Sequence, residues 1–187
     1  MTGLRAALSA RRPVQIDEPD AIATAVSVVL TPGENGLEVL LIRRAERIGD
    51  PWSGHMGLPG GRREPGDADL YATATRETAE EVGVALPPAA LLGALDDLHP
   101  RSATVPQVVI RPFVFGLAER PDARRSDEVA ACCWITLREL KASADTAEVR
   151  ILGNPVRVPC FKAAGLPDGL VVWGLTHRIL AGLLPLV

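Results

Sequence analysis

The chain has 187 residues, of which 47% are hydrophobic and only 4% aromatic, and its formal net charge is -3. This length suits one domain with a single core, and the charge balance lacks the basic field that nucleic-acid binding requires. The three cysteines, two of them adjacent as Cys132 and Cys133, are too few for a disulfide framework and lack the spacing of a zinc site. We therefore expect a cytoplasmic protein without a nucleic-acid partner.

The two ends of the sequence predict neither a signal peptide nor a membrane anchor. Arg5, Arg11 and Arg12 interrupt the N-terminal stretch. Residues 170–187 are apolar, but His177 and Arg178 break the run, which is also too short to span a bilayer. We expect no membrane partner, and the apolar C-terminal stretch leaves room for a homodimer.

Hydrophobic periodicity and turn residues divide the chain into elements. Residues 1–20 are predicted to form a short helix, over residues 4–12, and a proline-bounded linker; one domain follows over residues 21–187. Strands are predicted at residues 21–30, 37–44, 91–98, 108–116 and 129–135, with a hairpin over residues 149–158. Helices are predicted at residues 69–82, 137–142 and 173–184, with turns or loops at residues 31–36, 47–58, 99–106 and 119–127. This order predicts an α/β (α+β) domain in which helices flank a central mixed sheet.

Two details of the strands can be predicted from single residues. Pro112 cannot donate to a ladder, so strand 108–116 should lie at an edge or carry a bulge there. Cys132 and Cys133 should point to opposite faces of strand 129–135 because side chains alternate along a strand. We expect both to serve as small core residues.

A glycine turn followed by an acidic helix is the most informative part of the sequence. Gly60 and Gly61 form the predicted turn, and helix 69–82 follows, with Asp67 or Asp69 as its N-cap and Gly83 to end it. Arg76 lies four residues before Glu80 and can pair with it, or turn back to Asp67 and lock the loop onto the helix.

Three carboxylates of this helix, Glu77, Glu80 and Glu81, fall within an arc of roughly 100°. Like charges on one helix face repel one another, and bound Mg²⁺ or Mn²⁺ would offset that repulsion. The alternative is a solvated acidic face, as in most glutamate-rich helices.

The full pattern, Gly-x5-Asp followed by Arg-Glu-Thr-x-Glu-Glu-x-Gly-Val, resembles the signature of the Nudix hydrolases. Asp67 replaces the usual Glu of that signature, one further residue precedes Arg76, and Thr78 stands at an aliphatic position. The coenzyme A diphosphatase branch shares the Asp and the longer spacing. The resemblance implies a Nudix fold with a central mixed sheet between helices.

The segment before the turn is similar in part to the extra motif of that branch. Residues 40–45, Gly54 and residues 59–61 match it, whereas Asp50 stands where the branch has Arg and Leu58 where it has Phe. Branch membership is thus better supported than the identity of the substrate.

The resemblance also implies roles for individual residues. Glu77, Glu80 and Glu81, with the carbonyl of Gly60 or Gly61, would bind the metal. Catalytic candidates are Glu77, Glu80 and a further carboxylate, Glu128, for which an ordinary loop position is an equal alternative. By the resemblance, Asp67 and Arg76 are expected to be structural. Independently of it, Arg44 at the end of a strand and His55 in a loop beside Gly54 are substrate-binding candidates, each with a structural alternative. The candidate sets are catalytic Glu77, Glu80 and Glu128; metal Gly60, Gly61, Glu77, Glu80 and Glu81; substrate Arg44 and His55; structural Asp67 and Arg76.

The implied reaction is hydrolysis of the diphosphate in a nucleoside diphosphate derivative, with Mg²⁺ or Mn²⁺ as cofactor. Coenzyme A or its derivatives are the favoured substrate. ADP-ribose, NADH, a dinucleotide or a nucleoside triphosphate are alternatives. A non-catalytic nucleotide-binding module is a further alternative, because the fold also serves recognition.

Overall fold

The computed structural model describes residues 1–50, 52–100, 107–151 and 153–187. Within these ranges the chain forms two sheets and four α-helices. The helices are α1 (Thr2–Ser9), α2 (Leu70–Val82), α3 (Leu137–Ala142) and α4 (Gly174–Leu183). The strands are β1 (Ile22–Gly33), β2 (Gly36–Arg44), β3 (Met56–Gly57), β4 (Gly60–Arg62), β5 (Leu91–Ala94), β6 (Val108–Gly116), β7 (Val129–Thr136), β8 (Ala144–Ile151), β9 (Asn154–Phe161) and β10 (Val172–Trp173).

Strand β1 is central to the larger sheet because it pairs along both edges. β6 runs parallel to it on one edge, while on the other edge β4 pairs with residues 24–26 and β2 with residues 30–33. β5 pairs with the outer edge of β6, and β7 and β3 pair with β2. β1 and β2 therefore separate beyond their shared end, and β4 occupies the position next to β1 that this separation opens.

Helices cover both faces of this mixed sheet, as the sequence predicts for the fold class. One core packs side chains of α1, α3 and α4, including Leu8, Leu140 and Leu180, against one face. The other core packs the end of α2, through Val82, against the opposite face. Adjacent strand residues contribute to different cores, because side chains alternate along a strand.

The two adjacent cysteines follow this alternation. Cys132 packs against the core that contains Val82, and Cys133 packs against the core that contains Leu180. Their predicted orientation to opposite faces is confirmed. Burial raises the pKa of both thiols, which agrees with a packing role.

Several predicted boundaries differ from the structure. Helix α1 ends at Ser9 instead of residue 12; Pro13 disfavours helical backbone at Arg12, the residue before it. β1 and β2 extend to Gly33 and Gly36, so the predicted turn shortens to two residues. The predicted loop at residues 47–58 contains β3, and the predicted Gly60–Gly61 turn is strand β4. Most of the predicted turn at residues 99–106 lies outside the described residues.

Pro112 is predicted to lie on an edge strand or at a bulge, and the edge position is wrong. β6 lies between β1 and β5, so Pro112 is not on an edge strand. The irregularity is in the neighbouring segment: Ala94 pairs with Phe113 and Leu98 with Ile110, so this segment uses one more residue than β6. The ladder is therefore interrupted opposite the residue that has no N–H group.

The predicted hairpin at residues 149–158 is longer than expected. β8 and β9 pair in continuous register from Ala144 with Phe161 to Ile151 with Asn154. β10 adds a third strand next to β9, so this region forms a second, smaller sheet that the sequence pattern did not predict.

No helix in the described part of the chain is both long and apolar enough to cross a membrane. The apolar residues of α4, Ile179, Leu180 and Leu183, are buried in the core of the chain itself.

Candidate active site

Strand β4 brings two glycines into close contact with their neighbours. Gly60 has φ +150°, and a Cβ atom there would lie 2.3 Å from the backbone oxygen of Ala25. At Gly61 a Cβ atom would lie 2.2 Å from Oε1 of Glu77. Glycine at position 60 therefore permits the close approach of β4 to β1, and glycine at position 61 leaves room for a carboxylate directly on the strand.

Helix α2 is positioned by its cap and by buried hydroxyl groups. Asp69 is the N-cap, and its side chain accepts a hydrogen bond from the backbone N–H of Ala72 at 2.8 Å. Gly83 ends the helix with φ +67°. On the buried face, the hydroxyl of Thr78 donates to Ser27 of β1 at 2.8 Å. These contacts fix the rotation of the helix against the sheet, and with it the direction of the glutamates.

Arg76 and Asp67 connect the loop to the helix. Both oxygens of Asp67 accept hydrogen bonds from Arg76 at 3.0 Å, and Asp67 also accepts from the hydroxyl of Thr73 and the backbone N–H of Glu64. The guanidinium of Arg76 holds the pKa of Asp67 well below its usual range. Arg76 also donates to Glu80 at 2.8 Å. The sequence offers Glu80 and Asp67 as alternative partners of Arg76, and in the structure Arg76 bonds to both.

Glu81 and Glu77 lie against the glycine strand. Glu81 has only 3% of its surface exposed, and one of its oxygens accepts a hydrogen bond from the backbone N–H of Gly60 at 2.9 Å. Burial raises the pKa of Glu81 to about 7, and the charge of Glu77 adds to this effect. Burial also raises the pKa of Glu77. Two carboxylates thus share a poorly hydrated site in which negative charge is not fully compensated.

Glu80 has a different environment from the other two glutamates of the signature. Its side chain is 59% exposed and pairs with Arg76. Arg76 also lies 3.2 Å from Glu77, so its guanidinium contacts both the exposed Glu80 and the buried Glu77. Sequence spacing placed all three on one face, but the structure brings only Glu77 and Glu81 against the glycines.

The strand pairing also separates the two candidate carbonyl groups. The carbonyl of Pro59 and the N–H of Arg63 bond to β1, whereas the N–H of Gly60 and the carbonyl of Arg62 bond to side chains of α2. Backbone groups alternate in direction along an antiparallel ladder. Gly61 therefore directs its carbonyl at β1, and Gly60 directs its carbonyl away from β1, on the side of the glutamates.

Glu128 lies across from the buried pair. Its carboxylate contacts Arg47 at 3.1 Å, and its negative charge contributes to the raised pKa of both Glu77 and Glu81. Its backbone carbonyl accepts a hydrogen bond from Ala45 just beyond β2. Sequence spacing did not single out Arg47, because it lies in an irregular segment with no periodic pattern.

A cavity of about 640 Å³ opens next to the glycine strand. Gly60, Gly61 and the substrate candidates Arg44 and His55 line it, together with apolar residues of β1, β6 and α4. The residues that matter most for its chemistry are charged or aromatic: Arg44, Arg47, Asp50, Trp52, His55 and Arg62. The predicted substrate residues therefore line this space, and the buried glutamates contact the two glycines that line it.

Asp50 controls the position of Arg44. The guanidinium of Arg44 contacts Asp50 at 2.9 Å, and Asp50 also accepts from the backbone N–H of Trp52. His55 packs edge-on against Trp173, with ring centroids 4.8 Å apart, and burial lowers its pKa. The departure from the branch motif draws attention to Asp50 in the sequence. Nothing in the sequence identifies Arg44 as its partner.

The donors suit a hard divalent cation, although they do not form a complete cage. In the described ranges, no group of three or more His, Cys, Asp or Glu side chains could hold a metal ion. Glu77, Glu81 and the carbonyl of Gly60 nevertheless offer hard oxygen atoms beside uncompensated negative charge. Mg²⁺ commonly takes one or two carboxylates and completes its shell with water and substrate phosphates. The residues therefore fit an ion that the substrate helps to bind.

Relatives with curated descriptions resemble this chain over much of its length. It is 35% identical to the human protein described as mitochondrial coenzyme A diphosphatase NUDT8, over 83% of this chain and 66% of the relative. It is 34% identical to an uncharacterised Nudix hydrolase, NudL, of Yersinia pestis, over 76% of this chain and 68% of the relative. A 42% identical uncharacterised protein of Schizosaccharomyces pombe matches 54% of this chain, which spans only 32% of that relative.

Solved structures share the fold. A MutT/nudix family protein from Enterococcus faecalis aligns with a TM-score of 0.61 at 21% identity, covering 92% of this chain and 63% of the other. The NUDIX domain of Shewanella oneidensis NrtR, solved with ADP ribose, aligns with a TM-score of 0.53 at 23% identity over 72% of this chain and 84% of the other. The family model for the NUDIX domain matches residues 21–152. With its signature helix and glycine strand assembled as described, the chain belongs to the NUDIX domain family.

Proposed function

We propose that the chain is a Mg²⁺- or Mn²⁺-dependent diphosphatase that hydrolyses the diphosphate of a nucleoside diphosphate derivative. One observation carries this proposal: two buried carboxylates, Glu77 and Glu81, lie on the Gly60–Gly61 backbone beside the arginine-lined cavity. Family membership supports the reaction class, since the relatives include proteins described as Nudix hydrolases and as a coenzyme A diphosphatase.

The metal would be held by Glu77, Glu81 and the carbonyl of Gly60, with Glu80 as a further ligand after it leaves Arg76. When bound, the ion supplies positive charge for the phosphate oxygens and lowers the pKa of water. The residues of the chain prepare this site. Asp67 and Arg76 hold the loop and helix together, and the Gly60 N–H orients Glu81. Arg44 and Arg47 provide positive charge for an anionic substrate at the cavity.

Glu77, Glu80 and Glu128 remain the candidates for general base. Their environments differ: Glu77 is buried beside Gly61, Glu80 is exposed on Arg76, and Glu128 is half-exposed on Arg47. Substituting each by Gln and recording the pH dependence of kcat separates these roles. Only loss of the base removes the acidic limb of the profile, because the other residues act by charge or position.

Coenzyme A or a derivative is the favoured substrate. The support is the similarity to the human coenzyme A diphosphatase and a cavity whose walls combine arginines with apolar residues of β1, β6 and α4. ADP-ribose, NADH, a dinucleotide and a nucleoside triphosphate are the alternatives, and ADP ribose is the ligand in the S. oneidensis structure. A non-catalytic nucleotide-binding module is the remaining candidate.

A substrate panel tests the proposal. Coenzyme A, ADP-ribose, NADH, a dinucleotide and ATP are each assayed for product release with Mg²⁺ and with Mn²⁺, using wild-type chain and the Glu80→Gln and Glu81→Gln variants. We expect the highest kcat/KM with coenzyme A and no metal-dependent turnover in Glu81→Gln. If wild-type chain binds a nucleotide but hydrolyses none of the panel, the binding module is correct. Unchanged turnover in both variants would refute the metal assignment.

The proposal has three further parts. The protein is cytoplasmic, it forms a homodimer, and its domain covers residues 21–187 after an N-terminal helix and linker. Cys132 and Cys133 are free thiols, which agrees with a reducing compartment. Leu4 and Leu8 of α1 pack in one of the cores, so the N-terminal helix contributes to the stability of the domain.

A further inference from the structure

The smaller sheet has two edges that differ in their ability to pair. β8 is an outer strand of this sheet, and β9 pairs with β10 only at Cys160 and Phe161. β9 carries Pro155 and Pro159, whereas β8 contains no proline and pairs with β9 without a register shift. Proteins protect edge strands with proline or with charged side chains, and a regular edge without proline can pair with a strand whose charges are complementary.

The register shows which backbone groups of β8 point outward. The N–H of Lys162 donates to the carbonyl of Ser143 just before the ladder, so odd-numbered residues of β8 direct their N–H and C=O groups at β9. Glu148 and Arg150 therefore direct theirs away from β9. Pro155 pairs with Arg150 and Pro159 with Thr146, so both prolines stand at outward positions of β9. Proline thus blocks the outer edge of β9. On β8 the N–H of Thr146 is bonded to the side chain of Asp145 at 2.7 Å, and the outward donors used for pairing are those of Glu148 and Arg150.

The side chains of β8 are complementary to a second copy of the same strand. In an antiparallel pair centred on Val149, Glu148 lies opposite Arg150 of the second copy, and Arg150 lies opposite its Glu148. Both side chains are exposed. Shifting the centre to Glu148 would place that carboxylate opposite its own copy, so charge selects the register centred on Val149.

The opposite face of the hairpin is apolar and supports the same register. Ala147, Val149 and Ile151 share one face of β8 and are partly exposed, and the cross-strand partner of Val149, Val156, is 37% exposed. In the pair centred on Val149, Ala147 meets Ile151 of the second copy on this face. Each residue pair therefore matches apolar with apolar or acid with base.

We infer that β8 is the homodimer interface of this protein, pairing antiparallel with β8 of a second copy about a twofold axis at Val149. The two small sheets become one six-stranded sheet. Isologous pairing of this kind uses the same patch on both subunits. The proposal does not depend on the substrate or the reaction.

Charge reversal tests the partner and the register together. Light scattering after gel filtration should give a dimer mass for wild-type chain and monomer masses for Arg150→Glu and Glu148→Arg. Mixing these two variants should restore a dimer, because every opposed pair is then opposite in charge. Arg12→Glu, an equal change of charge at an exposed site distant in sequence, should remain dimeric. Thermal unfolding verifies that each variant is folded. A monomeric wild type, or a dimeric Arg150→Glu, overturns the inference.

Cysteine cross-linking tests the axis. Residues that face each other in a non-hydrogen-bonded antiparallel pair have Cα atoms about 4.5 Å apart, within disulfide range. With oxidised glutathione, Val149→Cys should form a disulfide-linked dimer, while Ala147→Cys on the same face should give only the background of the native cysteines. Equal cross-linking of both variants, or none in Val149→Cys, contradicts the register.

Discussion

Gly61→Ala is predicted to inactivate the protein while leaving it folded. A Cβ atom at this position would lie 2.2 Å from Oε1 of Glu77, and an ordinary contact requires at least 3.4 Å. The carboxylate must therefore move by about 1 Å, and a misplacement of that size in a catalytic constellation costs about 100-fold in rate. The obstructing atom is the end of a flexible side chain, so we expect the free energy of unfolding to change by less than about 1 kcal/mol.

Gly60→Ala is the matched comparison. Here the Cβ atom would lie 2.3 Å from the backbone oxygen of Ala25 and 2.6 Å from the Cα atom of Val26, at φ +150°. Neither strand backbone can yield as a side chain can, so we expect destabilisation by about 3 kcal/mol or more. In a chain of this length that lowers Tm by about 10 °C.

The assay is kcat with the preferred substrate and Mg²⁺, recorded beside thermal and urea unfolding of both variants. The reasoning predicts that Gly61→Ala loses activity with wild-type Tm, and that Gly60→Ala loses Tm. Wild-type kcat in Gly61→Ala would show that the position of Glu77 does not limit the reaction. Equal loss of Tm in both variants would show that β4 cannot accept any side chain.

The remaining predictions concern α2 and its loop. Asp67→Ala removes the charged partner of Arg76 that also accepts from Thr73 and the backbone N–H of Glu64, so we expect a larger loss of stability in urea unfolding than removal of the helix cap causes. Asp69→Ala removes only the cap bond and should lower the free energy of unfolding by about 1 kcal/mol. A loss as large as that of Asp67→Ala would contradict the different roles of the two residues. Glu81→Gln should stabilise the metal-free protein by up to about 3 kcal/mol at pH 8, because the pKa of the buried acid rises from 4.5 to about 7 on folding. The wild type loses this stability as the pH rises from 4.5 through 7, so the two proteins should be equally stable near pH 4. Excess EDTA should abolish turnover, and added Mg²⁺ should restore it without raising the stability of Glu81→Gln.

Features with local causes could be predicted from the sequence. The signature helix was predicted at residues 69–82 and is observed at Leu70–Val82, because its Asp69 cap and its Gly83 end are determined by neighbouring residues. The alternation of Cys132 and Cys133 is likewise a property of any strand. The fold class depended on the order of such elements and is confirmed.

Features that depend on distant partners were missed or left open. β4 contains two glycines in three residues, and its strand conformation comes from pairing with β1. The choice between the carbonyls of Gly60 and Gly61 depends on the same pairing. Glu80 has the helical spacing of a ligand, but Arg76 holds it in solvent, which spacing alone cannot show.

Several of the contacts that arrange the buried glutamates join residues close in sequence. Arg76 reaches Asp67 over 9 residues and the carbonyl of Arg62 over 14, and Glu81 reaches Gly60 over 21. Formation of the central sheet instead requires Ile22 to pair with Val108, which is distant in sequence. Loop closure over short separations has a smaller entropic cost, and contacts of this kind form faster. The contacts between the loop and helix α2 can therefore form before β1 pairs with β6, whereas the strand conformation of Gly60 and Gly61 requires β1. The slow step of folding should be the parallel pairing of β1 with β6.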